Sequence, residues 1–404
     1  MTQNVSSTWR QWLAVSALGV GSFAIVTTEL APVGLLTPIS VDLNQSESTV
    51  GLAVTLYAWI GAVAALLSAT TLSALPRRPL LVGLLLVLAG SAAASGLAPT
   101  FGALMVARVA GALAHGAFWA MIGTLGAQIV SPRHVGLATS IIFGGVSAAS
   151  VAGVPLVSYL GSIAGWETAF FAIALISLFV AVAIGTTVPS LPGQKGVDTS
   201  TLRRILSNGR FQRIFGVTIL SITAHFMAFT FVEPYLRGVL EVSPTMIAIL
   251  LFVFGTAGLM ANILCGALID THLKTLVMGA LVVSALSLAG LALPITATLP
   301  TLAGCFLFAW GGAVAVVLVG LQTWTIKEAG IDALPASAIY VALFNAAIGL
   351  GAVMGSAVLA MSGLVTLFIV ASLMTMVGIV GLATLHEHEP HPVPASHVRQ
   401  RGGN

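Results

Sequence analysis

Residues 12–38 read WLAVSALGVGSFAIVTTELAPVGLLTP, a stretch in which Glu29 is the only charge. A helix that crosses a bilayer needs about 20 predominantly apolar residues, and this run is long enough. A charged side chain at such a helix centre costs roughly 3 kcal/mol even on the lenient insertion scale. Groups of this kind therefore face a bundle interior or a wet path, and carry substrate or protons. His115, His225 and Glu233 lie in similarly apolar surroundings, in a chain with only 12 acids and 8 histidines.

The same apolar texture runs through all 404 residues, which are 58% hydrophobic and 7% charged, against about 25% charged in soluble domains. Polar and turn-rich breaks leave twelve segments: 12–38, 49–73, 79–97, 101–129, 135–159, 166–188, 211–236, 244–268, 274–293, 299–326, 334–360 and 363–385. They are too long and too continuous for the alternating strands of about 10 residues found in a membrane β-barrel. The fold class is all-α integral membrane. With both termini cytoplasmic, Arg77, Arg78, Arg133, Lys195, Arg203, Arg204 and most other basic residues lie in or beside cytoplasmic segments. Arg237 alone falls outside, and Arg108 lies within a span. This positive-inside bias fixes the orientation. The net charge of +3 is then an orientation signal and not a nucleic-acid patch. Cys265 and Cys305 fall in spans and read as small packing residues, not as a disulfide framework. The first span is too long for a signal-peptide core and is expected to stay uncleaved.

The longest polar break, 189–210, divides the spans six and six into bundles 1–188 and 211–385, with 386–404 as a disordered cytoplasmic tail. Part of the linker, near Thr201–Leu206, is expected to be helical. Phe23 to Glu29 is echoed by Met227 to Glu233, each glutamate preceding a proline, Pro32 or Pro234. Internal repeats of this kind build transporter folds, with the binding site between the halves near mid-membrane. Glycines crowd the fifth span (Gly144, Gly145, Gly153) and the eleventh (Gly349, Gly351, Gly355). They serve either close backbone packing or a hinge.

On the fourth span Arg108, Gly111, His115, Trp119 and Ile122 share one helix face by their three- and four-residue spacing. Transport competes there with a satisfied structural histidine, and Arg108 can pair with helix carbonyls or an acid. On the seventh, His225, Phe229, Val232 and Leu236 form a face with Glu233 close in azimuth. Arg237, one turn on, offers Glu233 an interface pair as the alternative to transport. Tyr57, Trp59, Gln322 and Asn345 are further candidates. An amide both donates and accepts, which suits hydroxyl-rich ligands; an interhelical packing bond is the competing account, and for Gln322 alone it is the favoured one. A glutamate such as Glu29 can take a proton on one side and release it on the other, coupling substrate to a proton gradient. His386, His388, His391 and His397 make a biased tail that reads as solvated, with metal binding the alternative.

These motifs resemble a known family. Thr27-Thr28-Glu29-Leu30-Ala31-Pro32-Val33-Gly34-Leu35-Leu36 is similar to the first-helix signature of bacterial major facilitator exporters of the drug–proton antiporter branch. Tyr57-Ala58-Trp59, Ala114 to Trp119, Ala224 to Pro234 and Phe344 to Gly349 are similar to sugar efflux transporters of the SotB/AraJ type. The resemblance implies two pseudosymmetric six-helix bundles, alternating access, and proton-driven export of sugars such as arabinose or galactosides from the bacterial inner membrane. It places Glu29, His115, His225 and Asn345 around a central cavity, with Glu233 at its margin; Tyr57, Trp119, Phe229 and Gln322 are further substrate contacts expected from their own positions. It links Arg108 with Gly111 to proton coupling, which is expected also of Glu29, His115 and Glu233, and Gly153 and Pro155 to gating, where Arg77 and Arg78 are the basic pair kept from the gating loop. The chain departs from the pattern at Ser73 to Pro79, which keeps a basic pair without the usual aspartate. It departs again at Glu167, where arginine is usual, and at Val26, where the sugar exporters carry asparagine.

A monomeric secondary exporter is expected, with a small molecule, protons and the lipid bilayer as partners and with no cofactor or metal. Efflux of amphipathic drugs or nucleosides is the runner-up. A transport-dead sensor lacks a sizeable soluble domain to signal through. An intramembrane enzyme lacks the His-Glu-x-x-His and Gly-x-Ser-x-Gly motifs, and no phosphate-cradling loop supports ATP as the drive.

Overall fold

The computed structural model describes residues 8–72, 74–131, 134–193, 199–269 and 271–385; Arg133, Lys195 and the histidine-rich tail lie outside them. Every regular element among these residues is helical. The first bundle comprises α1 (Trp9–Asp42), α2 (Glu47–Thr71), α3 (Arg77–Gly96), α4 (Phe101–Ile129), the pair α5 (Val135–Ala148) and α6 (Val154–Ala164), and α7 (Trp166–Thr187). A short α8 (Thr199–Leu206) follows, within the stretch expected to be a partly helical linker. The second bundle comprises α9 (Gly209–Phe229) with α10 (Val232–Gly238), α11 (Pro244–Leu268), α12 (Leu273–Leu291), a short α13 (Pro294–Thr298), α14 (Pro300–Ala329) and α15 (Ala333–Ala383).

Among the described residues eleven helical stretches are long and apolar enough to span a bilayer, with α15 counted once. The twelfth is contained in α15, whose 51 residues would reach about 76 Å at 1.5 Å per residue, more than twice the hydrocarbon thickness. Gly363 breaks it with φ +81°, the left-handed region that glycine enters without penalty. Both limbs return along α9: a Cβ on Gly355 would strike the Met227 carbonyl, and one on Gly381 would meet Val217 at 3.2 Å.

Two expected spans are not single helices. The fifth is interrupted by a π-turn, Ala149–Gly153, which leads into Pro155 at the start of α6. The seventh breaks at Thr230–Phe231, because Pro234 has no N–H to close the turn on the Thr230 carbonyl. That break corrects the continuous face expected to carry both His225 and Glu233. Cys305 is likewise corrected: it is exposed on α14 rather than packed, and both cysteines are free.

Among the described residues apolar burial separates into three clusters. One mixes side chains from both bundles, among them Leu30, Val54, Val154, Phe231, Phe254 and Ala352. All of these lie in the half of the molecule remote from the linker, here the far half. The other two clusters occupy the near half, and each stays in one bundle: Leu18, Leu85, Phe118 and Ile184 in the first, Phe215, Val277, Leu321 and Tyr340 in the second. The bundles are thus fused at the far end and packed independently at the near end.

Glycines make the fused seam possible. A Cβ on Gly255 of α11 would run into the backbone of Ser150 and Val151 in the π-turn, and one on Gly349 of α15 would overlap the Trp59 indole. Backbone approach at small residues is how membrane helices gain packing where no hydrophobic drive exists. Thr55 donates to the Gly349 carbonyl (3.2 Å) and Trp59 to that of Ala346 (3.1 Å), both from α2 across to α15.

Candidate functional site

Midway along the seam, α1, α2, α4 and α15 each contribute a polar side chain. Glu29 and His115 are both buried, with His115 Nε2 3.7 Å from Glu29 Oε1. That separation is longer than a hydrogen bond. Asn345 comes from the opposite bundle. Gly61 of α2 sits between the two, so that a Cβ there would be 3.3 Å from His115 Cδ2 and 3.7 Å from Asn345 Oδ1. The absence of a side chain at Gly61 therefore keeps His115 and Asn345 within reach of one another.

Arg108 closes the cluster on its far side. Its guanidinium donates to the carbonyls of Thr28 (3.3 and 3.4 Å) and Glu29 (3.3 Å) and lies 4.5 Å from the centre of the Tyr57 ring. Cation–π contact and carbonyl dipoles together replace the water a buried cation has lost. Of the two arrangements open from sequence, the one with helix carbonyls is found. Tyr57 in turn meets His115 edge to face at 5.4 Å, and Trp119 meets it from the other side at 6.3 Å.

Several polar atoms in this cluster lack a hydrogen-bond partner within the protein: Glu29 Oε1, His115 Nδ1, Asn345 Oδ1 and Tyr57 Oη. Buried polar groups are nearly always paired. A group of four within one seam marks a place built for something other than packing, and it offers acceptors, a donor-acceptor imidazole and an ionisable acid.

His225 and Phe229 lie in a second grouping, within their own bundle. The His225 ring stacks on Phe229 at 5.2 Å and lies edge-on to Trp310 at 5.2 Å, with Phe254 5.1 Å from Phe229. His225 is thus surrounded by rings, its Nδ1 unpartnered. Phe226, Phe254 and Trp310 were not singled out from sequence. Their positions on α9, α11 and α14 are ordinary apolar ones, and only the fold makes them neighbours.

The remaining candidates are elsewhere. Gln322 donates to Ser337 at 3.1 Å, the interhelical packing bond, in the near half of α14. Glu233 pairs with Arg237 at 2.6 Å and accepts from the Thr37 N–H at 3.0 Å. Thr37 is eight residues beyond Glu29, or about 12 Å along α1, so Glu233 belongs to the far end of the seam. Arg77 is buried at the start of α3, with its N–H on the Leu191 carbonyl (3.0 Å), while Arg78 is exposed. Gly153 accommodates Thr27: a Cβ at 153 would overlap its hydroxyl. Among the described residues no group of three His, Cys, Asp or Glu could hold a metal.

Three solved structures share this architecture. The human organic anion transporter MFSD10 (TETRAN) superposes with a TM-score of 0.69 at 18% identity, over 92% of this chain and 99% of that one. A bacterial homologue of the human lysosomal transporter Spinster, inward-facing and occupied, gives 0.71 at 14% identity over 94% and 97%. A mutant of the nucleoside transporter NupG gives 0.71 at 16% identity over 92% and 99%. At these identities the likeness is one of fold. The family model described as Major Facilitator Superfamily matches residues 17–334, most of the chain, and the chain belongs to that superfamily.

Proposed function

We propose that this protein exports a sugar, arabinose or a galactoside-like molecule, in exchange for protons entering the cell. Membership of the superfamily makes the chain a multi-pass transporter of small molecules rather than an enzyme. The finer reading is carried by one observation: Glu29 and His115 face each other at 3.7 Å in a seam completed from the opposite bundle by Asn345. A carboxyl out of water can lose its proton only as something else compensates it. A hydroxyl-rich ligand bridging Glu29, His115 and Asn345 competes with that proton for the same carboxyl, which makes exchange obligatory.

In this scheme the bundles, 1–188 and 211–385, rock as units about the seam, joined by the linker 189–210. Both termini are cytoplasmic in a bacterial inner membrane, and the protein works as a monomer. The fused far half and the separate near halves then correspond to a state open towards the cytoplasm. Glu29, His115, Asn345, Tyr57 and Trp119 contact substrate; Glu29 and His115 handle the proton, with Arg108 setting the charge around them. Gly153 and Pro155 let the fifth crossing flex beside Thr27, and Arg77 and Arg78 act at the cytoplasmic mouth.

A second reading is favoured by the rings around His225. Phe226, Phe229, Phe254 and Trp310 form an aromatic wall that suits a flat or amphipathic substrate such as a nucleoside or drug, as does Val26 in place of a polar side chain. Proteoliposomes with an imposed pH gradient, offered labelled arabinose, a thiogalactoside, a nucleoside and a cationic dye, separate the two. Uptake of either sugar supports the first reading. Movement of the nucleoside or dye alone replaces it with the second.

A further inference from the structure

The break in the seventh crossing has a consequence at the far end of the seam. Because the chain leaves helical geometry at Phe231 (φ −110°, ψ 18°), α10 turns Glu233 into the space between the bundles, where it is fully buried. Both carboxylate oxygens are engaged. Oε1 takes Arg237 Nε from the same short helix at 2.6 Å, and Oε2 accepts the backbone N–H of Thr37 from the other bundle at 3.0 Å. The Thr37 hydroxyl donates to Glu47 at the start of α2 at 2.8 Å, which ties the end of α1 to α2. Just below, the Phe231 ring fills the room left by two glycines: a Cβ on Gly51 of α2 or on Gly355 of α15 would strike it.

We propose that Glu233, the Thr37 N–H and the Phe231 ring form a gate that closes the far face, separate from the Glu29 cluster. This rests on the transporter reading above and gives Glu233 a gating role in place of proton coupling. A buried carboxylate left without partners is strongly unfavourable, so a charge at a moving seam needs a counter-ion that travels with it. Arg237 is that counter-ion. It lies one turn away on α10 and is partly exposed, so opening breaks the cross-bundle bond to Thr37 while the ion pair passes into water intact. A hydrogen bond to a charged acceptor is about twice as strong as a neutral one, which makes a single bond an effective catch. Its donor is a backbone N–H, so no ordinary side-chain change at Thr37 removes it, and the test falls on Glu233.

The experiment uses the full chain in liposomes with Cys265→Ser and Cys305→Ser. Spin labels are placed on Gln45→Cys and Thr245→Cys across the far face, and in a second sample on Thr70→Cys and Ile326→Cys across the near face. Glu233→Ala is expected to raise the ratio of long to short far-face distances about tenfold or more, with near-face distances shortening in step. Glu233→Gln, which keeps an acceptor oxygen without the charge, is expected to fall between Glu233→Ala and the parent. Far-face distances that superimpose on the parent in both variants overturn the gate. So does loosening of both faces together, which marks Glu233 as packing only. Should Glu233→Ala fail to accumulate, Glu233→Gln and Arg237→Gln decide on the same distances. Because distances are read without any ligand, a parent that transports none of the offered substrates defeats the proposed function and leaves this result standing.

Discussion

Arg108 is held by the carbonyl that Pro32 leaves free. In an unbroken helix the Thr28 carbonyl would accept from the N–H of residue 32, but proline has none. The freed oxygen takes both terminal nitrogens of Arg108, at 3.3 and 3.4 Å. The terminal nitrogens of the cation are taken by backbone carbonyls and its plane lies against the Tyr57 face, with Nε left unpartnered, so the Glu29 carboxyl remains available for other partners.

Arg108→Lys tests this arrangement. An ammonium cannot reach two carbonyls in the plane of a ring as a guanidinium does. The variant is expected to lose transport about tenfold or more and to be less stable by about 1.5–3 kcal/mol, the range for lost hydrogen bonds to charged groups. Thermal unfolding in detergent and transport in liposomes check both. Pro32→Ala restores the competing N–H and is expected to lower transport in the same direction.

Gly349 and Trp59 are expected to be coupled. Any side chain at position 349 overlaps the indole, and the Thr55 carbonyl stands 3.1 Å from the same point. Gly349→Ala should therefore part the bundles at mid-seam and reduce transport. Trp59→Ala gives up the bond to Ala346, yet in the double variant it makes room. Transport by the double variant should exceed that of Gly349→Ala alone, and a simple sum of the two losses would contradict the packing described.

Much of this was legible from residue order. All twelve crossings followed from apolar run length, and Glu29, His115 and Arg108 stood out because ionisable groups are rare in such runs. Helical spacing put Arg108, His115 and Trp119 on one face. What sequence could not supply was depth and partnership across bundles. Gly61 looked like any membrane glycine until His115 and Asn345 were found on either side of it. The expected common face for His225 and Glu233 assumed a continuous helix, and Pro234 ends it. The aromatic wall around His225 comes from three helices remote in sequence, so no spacing rule reveals it.

Asn345→Ala should discriminate between the two substrate readings. Removing an amide that both donates and accepts leaves an unpaired ligand hydroxyl, so affinity for a sugar should fall about tenfold or more. Affinity for an amphipathic dye should change little. Phe229→Ala is expected to do the reverse. Equilibrium binding of both ligands to each purified variant checks the crossover.

Trp166 and Asp42 bind the far ends of α7 and α1 through an indole N–H to carboxylate bond of 3.0 Å. Trp166→Phe keeps the packing and drops the bond. It is expected to destabilise the first bundle by about 1 kcal/mol, read as a lower thermal midpoint, with transport at permissive temperature retained.

The central claim is that a titratable carboxyl at the seam, opposed by His115, ties substrate movement to proton movement. It is tested most directly by comparing Glu29→Gln with the parent protein in the same liposomes. Two assays are run: substrate accumulation driven by a pH gradient, and substrate exchange with no gradient. Glu29→Gln should exchange substrate while failing to accumulate it. Accumulation at the parent's level by that variant would contradict the account.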